Sequence, residues 1–155
     1  MNNSTCLVSL ILDEQRYALP LAQVERVIHA IEITPLPQAP EIIAGVINFR
    51  GNVIPVVNMR KRFRLPERGI SLNDQIIISH TLRRQVALVV DEVNGVIEIP
   101  VHVVLNAENI LPNMKYIEGV VKLKDGMILI HDLDRFLSLE EEKTLNHALA
   151  NNKKQ

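Results

Sequence analysis

The stretch "GVINFRGNVIPVVNMRKRF", Gly45–Phe63, contains two apolar runs of strand length that are separated by Gly51-Asn52. Glycine and asparagine tolerate the positive φ angles of a tight turn, so the stretch predicts an antiparallel β-hairpin. Arg50 stands at the lip of this apolar hairpin. Because a guanidinium that is buried without partners is costly, we expect Arg50 to pair with a carboxylate, to donate to backbone carbonyl groups or to serve an interface.

Short β-branched runs between turn residues recur along the rest of the chain. Two further turn signals are Asn94-Gly95 and Lys124-Asp125-Gly126. Such regular spacing is typical of a small barrel or sandwich in which helices are short accessories. The candidate strands are Cys6–Leu12, Tyr17–Leu19, Val27–Ile33, Val46–Arg50, Val53–Val57, Gln75–His80, Val86–Val93, Val96–Ile99, Tyr116–Leu123 and Met127–His131.

Helices and irregular connections are predicted at four places. Pro20 suits the first turn of a brief helix, and the three prolines within Thr34–Pro40 indicate an extended connection. The polar segment Arg64–Asp74 predicts an exposed loop that could divide two half-domains. Ser138 and Glu141 match a capping box, which predicts an amphipathic C-terminal helix.

The composition is typical of one compact domain. The chain has 155 residues, of which 47% are hydrophobic, and we expect one domain over residues 1–150 followed by a frayed tail at 151–155. Lys and Arg number 17 against 18 Asp and Glu, so no overall field attracts nucleic acid or anionic lipid. The single cysteine, Cys6, fits a reducing compartment, and the N-terminus resembles neither a signal peptide nor a membrane span. We therefore expect a cytoplasmic protein.

Few residues have the pattern of a reaction centre or a metal site. Cys6 has no local His or Asp, so we expect a buried structural thiol. No Lys-Ser/Thr follows the glycines of the opening stretch, which argues against a phosphate-binding loop. A hydrolase or metalloenzyme that uses His131, Asp132 and Asp134 is an alternative, but Asp132 as the cap of a short helix suffices. No cofactor or metal is expected, because the histidines share no ligand-like spacing; they are His29, His80, His102, His131 and His147.

The basic run Arg60–Arg64 leaves a second function open. Arg60, Lys61, Arg62 and Arg64 could contact the phosphates of a nucleic acid or another ligand. Aromatic residues make up only 3% of the chain and the net charge is nearly balanced, so the rest of a nucleic-acid signature is missing. A short solvated helix with Phe63 pointing inward explains the run as well.

Several segments together resemble the CheW family of bacterial chemotaxis coupling proteins. The opening stretch is similar to that family's usual Gly-Val-x-Asn-Leu-Arg-Gly turn, its "PVVDLR" strand and a terminal Phe. "VALVVDEVNGVIEI" is similar to the hairpin of the second half, and "YIEGVVKLKDGMILIHDLDRFLSLEEE" to the closing strands and helix. With "LVSLILDEQRYALPLAQVERV" near the start, the resemblance covers about Leu7–Leu149.

The resemblance implies an all-β fold of two five-stranded β-barrels packed side by side, with a C-terminal helix. It implies an adaptor without catalytic activity, in the cytoplasm at receptor arrays. The partners would be the regulatory domain of a CheA-type histidine kinase, held by the first barrel, and the cytoplasmic tip of a chemoreceptor, held in a groove between the barrels.

The resemblance also implies a set of partner-binding residues. By motif position Arg50 corresponds to the family's coupling arginine, Gly45 and Gly51 to its flanking glycines, and Val24 to an apolar interface position. Val27 and Ile47 are expected to add apolar area near the groove.

Two positions depart from the family pattern. Arg26 stands where a Glu is common, and Glu25 should face the opposite side of its strand, so the usual carboxylate partner of Arg50 is missing. Asn58 replaces the common Asp of "PVVDLR". These departures favour a specialised relative that serves another chemosensory output, such as surface motility.

Overall fold

The computed structural model describes residues 3–110 and 115–153. In these residues the chain is mostly β-strand, with short helices and one longer C-terminal helix, which confirms the predicted class. The strands are β1 (Ser4–Leu12), β2 (Gln15–Pro20), β3 (Val24–His29), β4 (Ile43–Phe49), β5 (Asn52–Val57), β6 (Gln75–His80), β7 (Gln85–Val90), β8 (Glu92–Pro100), β9 (Leu105–Asn106), β10 (Ile117–Leu123) and β11 (Gly126–His131). The α-helices are α1 (Met59–Arg62), α2 (Ala107–Ile110) and α3 (Leu139–Lys153), and 3-10 helices cover Leu21–Gln23, Val101–Val103 and Leu133–Arg135.

The strands form two sheets. Strands from both ends of the sequence form the terminal sheet, in the order β8-β1-β2-β11-β10-β9, and the strands between them form the inserted sheet, in the order β3-β6-β7-β5-β4. Neighbouring strands are antiparallel except β2 with β11 and β5 with β7. The two-sheet architecture is as expected, but the sheets are curled and open rather than closed barrels. The short strand β9 was not predicted.

The chain does not divide into halves at Arg64–Asp74, and that prediction is wrong. The loop lies within the inserted sheet, between β5 and β6, and the chain changes sheet at the 3-10 helix Leu21–Gln23 and again at Asp91. The reason is that β1 pairs with β8 and β2 pairs with β11, across more than 80 residues of sequence, and no local pattern reports such pairing.

Asp91, the single residue between β7 and β8, joins the two sheets through charge. Its carboxylate accepts hydrogen bonds from Arg60 Nη2 at 2.6 Å, from Arg68 Nη2 at 2.7 Å and from the backbone N–H of Asp13 at 2.9 Å. Arg68 also binds the buried Asp74, and this hydrogen bond holds the pKa of the Asp74 carboxyl below its usual value. The ionic network fastens the loop Arg64–Asp74 to the point where the chain crosses between sheets.

Three apolar clusters fill the interior. The shared core lies between the sheets and beneath α3, and it contains Leu10, Leu19, Leu88, Phe136 and Leu145 among others. Smaller clusters lie within the curl of each sheet: the inserted-sheet core is Ile47, Ile54, Val56, Ile76, Ile78 and Ala87, and the terminal-sheet core is Leu7, Ala18, Val121, Ile128 and Ile130.

The predicted turn at Asn94-Gly95 is wrong, because both residues lie within β8. Ser9 pairs with Gly95 and Leu10 pairs with Val93, so Asn94 is the extra residue of a β-bulge. A bulge and a tight turn both use positive φ, and the same residue pair suits either.

The prediction that Cys6 is a buried structural thiol is also wrong, because Cys6 is exposed. Successive side chains of a strand point to opposite faces, and its neighbour Leu7 is only 2% exposed within the terminal-sheet core. Cys6 therefore points outward from β1.

The capping box that predicted the C-terminal helix is present. Ser138 Oγ accepts from the N–H of Glu141 at 3.1 Å, and Glu141 Oε1 accepts from the N–H of Ser138 at 2.8 Å. Helix α3 runs to Lys153, into the stretch expected to fray, and residues 154–155 lie outside the described residues. Within those residues no helix is both long and apolar enough to cross a bilayer.

Candidate partner-binding surface

The β4–β5 hairpin closes with a two-residue turn made by Arg50 and Gly51. Phe49 pairs with Asn52, and φ is 53° at Arg50 and 86° at Gly51. Two positive φ values in succession form the turn that follows the twist of a hairpin. The predicted turn pair, Gly51-Asn52, is therefore one residue too late. The left-handed region costs a residue with a side chain about 1–2 kcal/mol, so the fold maintains a strained arginine here.

Arg50 is exposed and packs its guanidinium against an aromatic ring. Its Cζ lies 5.0 Å from the centroid of Phe49, and Cζ of Arg26 lies 5.7 Å from the same centroid. Among the described residues neither arginine forms an ion pair or donates a side-chain hydrogen bond. Of the three partners expected for Arg50, the carboxylate and the carbonyl group are thus not present in this part of the chain. We call Arg26, Phe49 and Arg50 the cationic patch.

Glu25 makes its contacts away from the cationic patch, as expected, although not through the regular strand alternation on which that expectation rested. Its Oε2 lies 4.0 Å from Nδ1 of His80, and Gln85 Nε2 donates to both of its carboxylate oxygens at 3.0 and 3.3 Å. The register of β3 shifts between Val24 and Arg26, which makes Glu25 a bulge residue. Glu25 therefore does not neutralise Arg50.

The cationic patch spans the open side of the inserted sheet. Strands β3 and β4 are the two outer strands of that sheet, yet Arg26 from β3 lies over Phe49 from β4. The sheet must therefore curl until its outer strands approach each other. Phe49 packs on the inserted-sheet core beneath, so its ring closes the mouth of that core while the two guanidinium groups stay in solvent.

Gly45 and Ile47 lie inside the protein. A Cβ on Gly45 would lie 2.3 Å from the carbonyl oxygen of Thr34, and Thr34 and Val46 exchange two backbone hydrogen bonds of 2.8 Å. Gly45 is therefore required because the connection from β3 passes directly over β4. Ile47 is 1% exposed within the inserted-sheet core, so in this structure it offers a partner no surface.

Val24 and Val27 lie on the face of β3 that meets the shared core. Both are half-buried and pack against that core at its margin. The bulge at Glu25 is what brings residues 24 and 27 to one face. The predicted site residues thus separate: Arg26, Arg50 and Gly51 gather at the patch, Val24 and Val27 lie beside the shared core, and Gly45 and Ile47 support the hairpin from within.

A groove of about 620 Å³ lies between the two sheets, in keeping with the expected cleft. Its apolar lining includes Phe63, Tyr116 and Ile117. Arg62 crosses it, since Nη1 donates to the Tyr116 hydroxyl and Nη2 binds Glu141 Oε2 at 2.7 Å. The groove therefore combines an apolar part with a lining that is mostly charged. The described residues that line it are Glu41, Ile42, Lys61, Arg62, Phe63, Arg64, Lys115, Tyr116, Ile117 and Glu141.

The basic run is largely used within the fold. Arg60 binds Asp91 and Arg62 binds Glu141, while Phe63 points inward and stacks on His131 at 4.9 Å. Within the described part of the chain, Lys61 and Arg64 are the members that form no ion pair. Two isolated cations make a poor phosphate-binding surface, which weakens the nucleic-acid alternative.

The residues of the hydrolase alternative do not converge. His131 is fully buried among aromatic rings, and burial lowers its pKa to about 3. Asp134 accepts from the backbone N–H of Leu82, and Asp132 pairs with Arg135 at 3.3 Å. The predicted side-chain cap by Asp132 is therefore wrong. Over the described ranges, no three His, Cys, Asp or Glu side chains could jointly hold a metal ion.

The contacts of Asn58 account for an asparagine at this position. Its Oδ1 caps α1 by accepting from the N–H of Lys61 at 2.9 Å, which an Asp would also do. Its Nδ2 donates to Glu67 Oε1 at 3.1 Å, where an Asp would place two carboxylates together. Asn at position 58 therefore avoids the repulsion between two carboxylates that Asp would cause beside Glu67.

Phe49 was missed as a member of the surface. Sequence reasoning treated it as an ordinary strand residue, although the family pattern usually has leucine there. Phe in place of Leu at position 49 and Arg in place of an acid at position 26 were the two signs in the sequence. The contact between Arg26 and Phe49 crosses the open side of a curled sheet, however, so no local sequence spacing predicts it.

Comparison with known proteins agrees with this geometry. Residues 7–141 match the family model of the CheW-like domain. The chemotaxis protein CheW of Thermotoga maritima is 35% identical over 136 residues, which are 84% of this chain and 86% of that protein. The crystal structure of the scaffolding protein TtCheW from Thermoanaerobacter tengcongensis matches with a TM-score of 0.80 at 33% identity, over 88% of this chain and 94% of that chain. Protein FrzA of Myxococcus xanthus is 33% identical over 86 residues, which are 56% of this chain and 54% of FrzA.

Two curled sheets, a groove between them and an exposed charged turn are the features of a β-sheet binding scaffold. The family model covers most of the chain, and the relative from Thermotoga maritima is more than 30% identical over most of both chains. The chain belongs to the CheW-like family.

Proposed function

We propose that this protein is a non-enzymatic adaptor that couples chemoreceptors to a CheA-type histidine kinase. The observation that carries the proposal is the family match over residues 7–141, with relatives that are named as chemotaxis and scaffolding proteins. The exposed cationic patch supports it, since an unpaired charged turn held in a strained conformation suits a binding surface.

An adaptor that holds two partners at once needs two separate surfaces. The cationic patch lies on the inserted sheet, and the groove lies between the sheets and shares no lining residue with the patch. We assign the kinase regulatory domain to the inserted sheet and a helix of the receptor's cytoplasmic tip to the groove. A helix with its side chains is about 10–12 Å across, and the groove offers such a helix a few apolar side chains together with charges of both signs.

A specialised relative is the second candidate. Arg26 reverses the charge that is common at its position, and FrzA, similar over about half of each chain, is a relative whose name is not CheW. In this case the protein is still an adaptor, but its cognate kinase and receptor serve another chemosensory output.

The test is direct binding to both partners. Purified protein is titrated against the kinase regulatory domain and against a receptor cytoplasmic fragment from the same cell, and the two are then added together. We expect binding to each and a ternary complex, because the surfaces are separate. Binding to neither partner would overturn the proposal.

Single substitutions test which surface binds which partner. Arg50→Ala should weaken kinase binding and Val24→Ala should weaken at least one interaction, while Lys122→Ala, on an exposed position of β10, is the matched control. Unfolding curves of each variant show that it is folded. If neither partner binds less well to Arg50→Ala or Val24→Ala, the site assignment fails even though the adaptor function stands.

We also propose that the protein is cytoplasmic and collects at receptor arrays, which imaging of a fluorescent fusion with and without receptors would test.

A further inference from the structure

The cationic patch concentrates positive charge without a counter-charge. Arg26 and Arg50 are both exposed, and both guanidinium groups lie on one ring, that of Phe49. Two cations so close together repel each other. Within the described residues no carboxylate pairs with either of them. A negative charge supplied from outside the chain would relieve that repulsion.

Four other arginines are paired with acidic residues of the protein itself. Arg60, Arg62, Arg68 and Arg84 each bind a carboxylate at 2.9 Å or less. These arginines serve the fold. The two at the patch have only an aromatic ring, and their hydrogen-bond donors remain directed to solvent.

The ring holds the guanidinium groups ready for a ligand. The contact with Phe49 occupies no N–H group of either guanidinium, and these are the groups that bind a carboxylate in a fork. The backbone of Arg50 is fixed by the turn at φ 53°, and Asn48 fixes the same turn by accepting from the N–H of Gly51 at 3.0 Å. Little freedom of the turn backbone is lost when a partner binds.

The geometry points to an acidic segment of a partner protein as the occupant of the cationic patch, with Asp or Glu carboxylates bound to Arg26 and Arg50. The inference rests on the proposed function and names the chemistry of the partner at that surface. An apolar partner would bury two guanidinium groups without partners, which is costly. A single acidic segment can reach both arginines, because both lie against one phenyl ring.

The experiment measures charge reversal at one position. The wild-type protein, Arg26→Gln, Arg26→Glu and Arg26→Lys are titrated against the kinase regulatory domain and against the receptor fragment, at low and at moderate salt. Lys122→Glu is the control, since it changes the net charge equally on the terminal sheet. Thermal unfolding of each variant shows whether loss of the Arg26–Phe49 contact has opened the inserted sheet.

We expect Arg26→Glu to weaken binding of one partner about tenfold or more at low salt, chiefly through a slower association rate, and Arg26→Gln to weaken it by a few-fold. Arg26→Lys should lose less than Arg26→Gln, because it keeps the charge although it lacks the forked N–H groups. The effect should shrink as salt rises, and Lys122→Glu should bind like wild type.

Three outcomes overturn the inference alone. If Arg26→Glu binds both partners as well as wild type, the occupant has no carboxylate, and the proposed function survives. If Lys122→Glu weakens binding equally, only the net charge matters. If folded Arg26→Lys loses as much as Arg26→Glu, the arginine acts by its shape rather than by its charge. Wild-type protein that binds neither partner overturns the proposed function, and this inference with it.

Discussion

The buried imidazole of His131 makes the free energy of unfolding depend on pH, by an amount that can be calculated. Its ring packs against Tyr17, Phe63 and Phe136, with centroids 4.7, 4.9 and 5.2 Å away, and its side chain is 0% exposed. Neither ring nitrogen has a hydrogen-bond partner among the described residues. Burial lowers the pKa of the imidazole from 6.5 to about 3, so the folded protein keeps it neutral.

Acid therefore favours the unfolded chain, in which the imidazole is free to bind a proton. Above pH 6.5 the group is neutral in both states and contributes no difference. Below pH 6.5 the unfolded state binds more protons, so the free energy of unfolding falls by about 1.4 kcal/mol for each pH unit until the folded pKa is reached. Between pH 7.5 and pH 5 the loss is about 2 kcal/mol, and any folded pKa well below 5 gives the same amount.

The assay is urea unfolding of wild type and His131→Leu at pH 7.5, 6.5, 5.5 and 5.0. Leucine has a similar volume and leaves no polar atom unpaired, so the variant should fold. We expect the difference in unfolding free energy between the two proteins to move by about 2 kcal/mol in favour of the variant from pH 7.5 to 5.0, or about 4–8 °C in melting temperature. Groups common to both proteins, such as Glu118 and Asp132, cancel in this difference. Parallel stability curves would refute the reasoning, because they would mean that His131 is protonated or paired in the folded protein.

Three further predictions concern backbone strain and the ionic junction. Arg50→Asn should raise the free energy of unfolding in urea by up to about 1 kcal/mol, because Asn tolerates the left-handed region better, while kinase binding falls; a loss of stability would contradict the assigned strain. Gly45→Ala should cost about 1–3 kcal/mol by calorimetry, since its methyl group meets Thr34, and a neutral result would mean that the crossing chain yields freely. Asp91→Asn should cost about 1–3 kcal/mol by weakening charged hydrogen bonds to two arginines, with a smaller difference in high salt; equal stability would show that the network contributes nothing.

Features that depend on residues close together in the chain could be predicted from the sequence. The hairpin around Arg50 was predicted from two apolar runs and a turn pair, and it was displaced by one residue at the turn because Asn52 and Arg50 both flank Gly51. The reciprocal bonds of Ser138 and Glu141 were predicted outright, since a capping box needs only residues that are neighbours in the chain.

The pairing of strands that are far apart in the sequence could not be predicted. Nothing near β1 or β2 indicates that β8 and β11 are their partners, so the two sheets were assigned to the two halves of the chain. The face of a strand was equally obscure in β1, where residues 6–12 are apolar except for Ser9 and show no polar alternation to indicate that Cys6 points outward. The same limit hid the cationic patch, whose members come from opposite sides of a curled sheet.

The order of the strands in the terminal sheet has a consequence for synthesis on the ribosome. β1 and β2 leave the exit tunnel early, but β8 and β11 follow only after the whole inserted sheet has been made. At about 5–20 residues per second, the first hairpin waits for several seconds with one apolar face uncovered. All strands of the inserted sheet have been synthesised by Val90, so this sheet can form before the terminal sheet is complete.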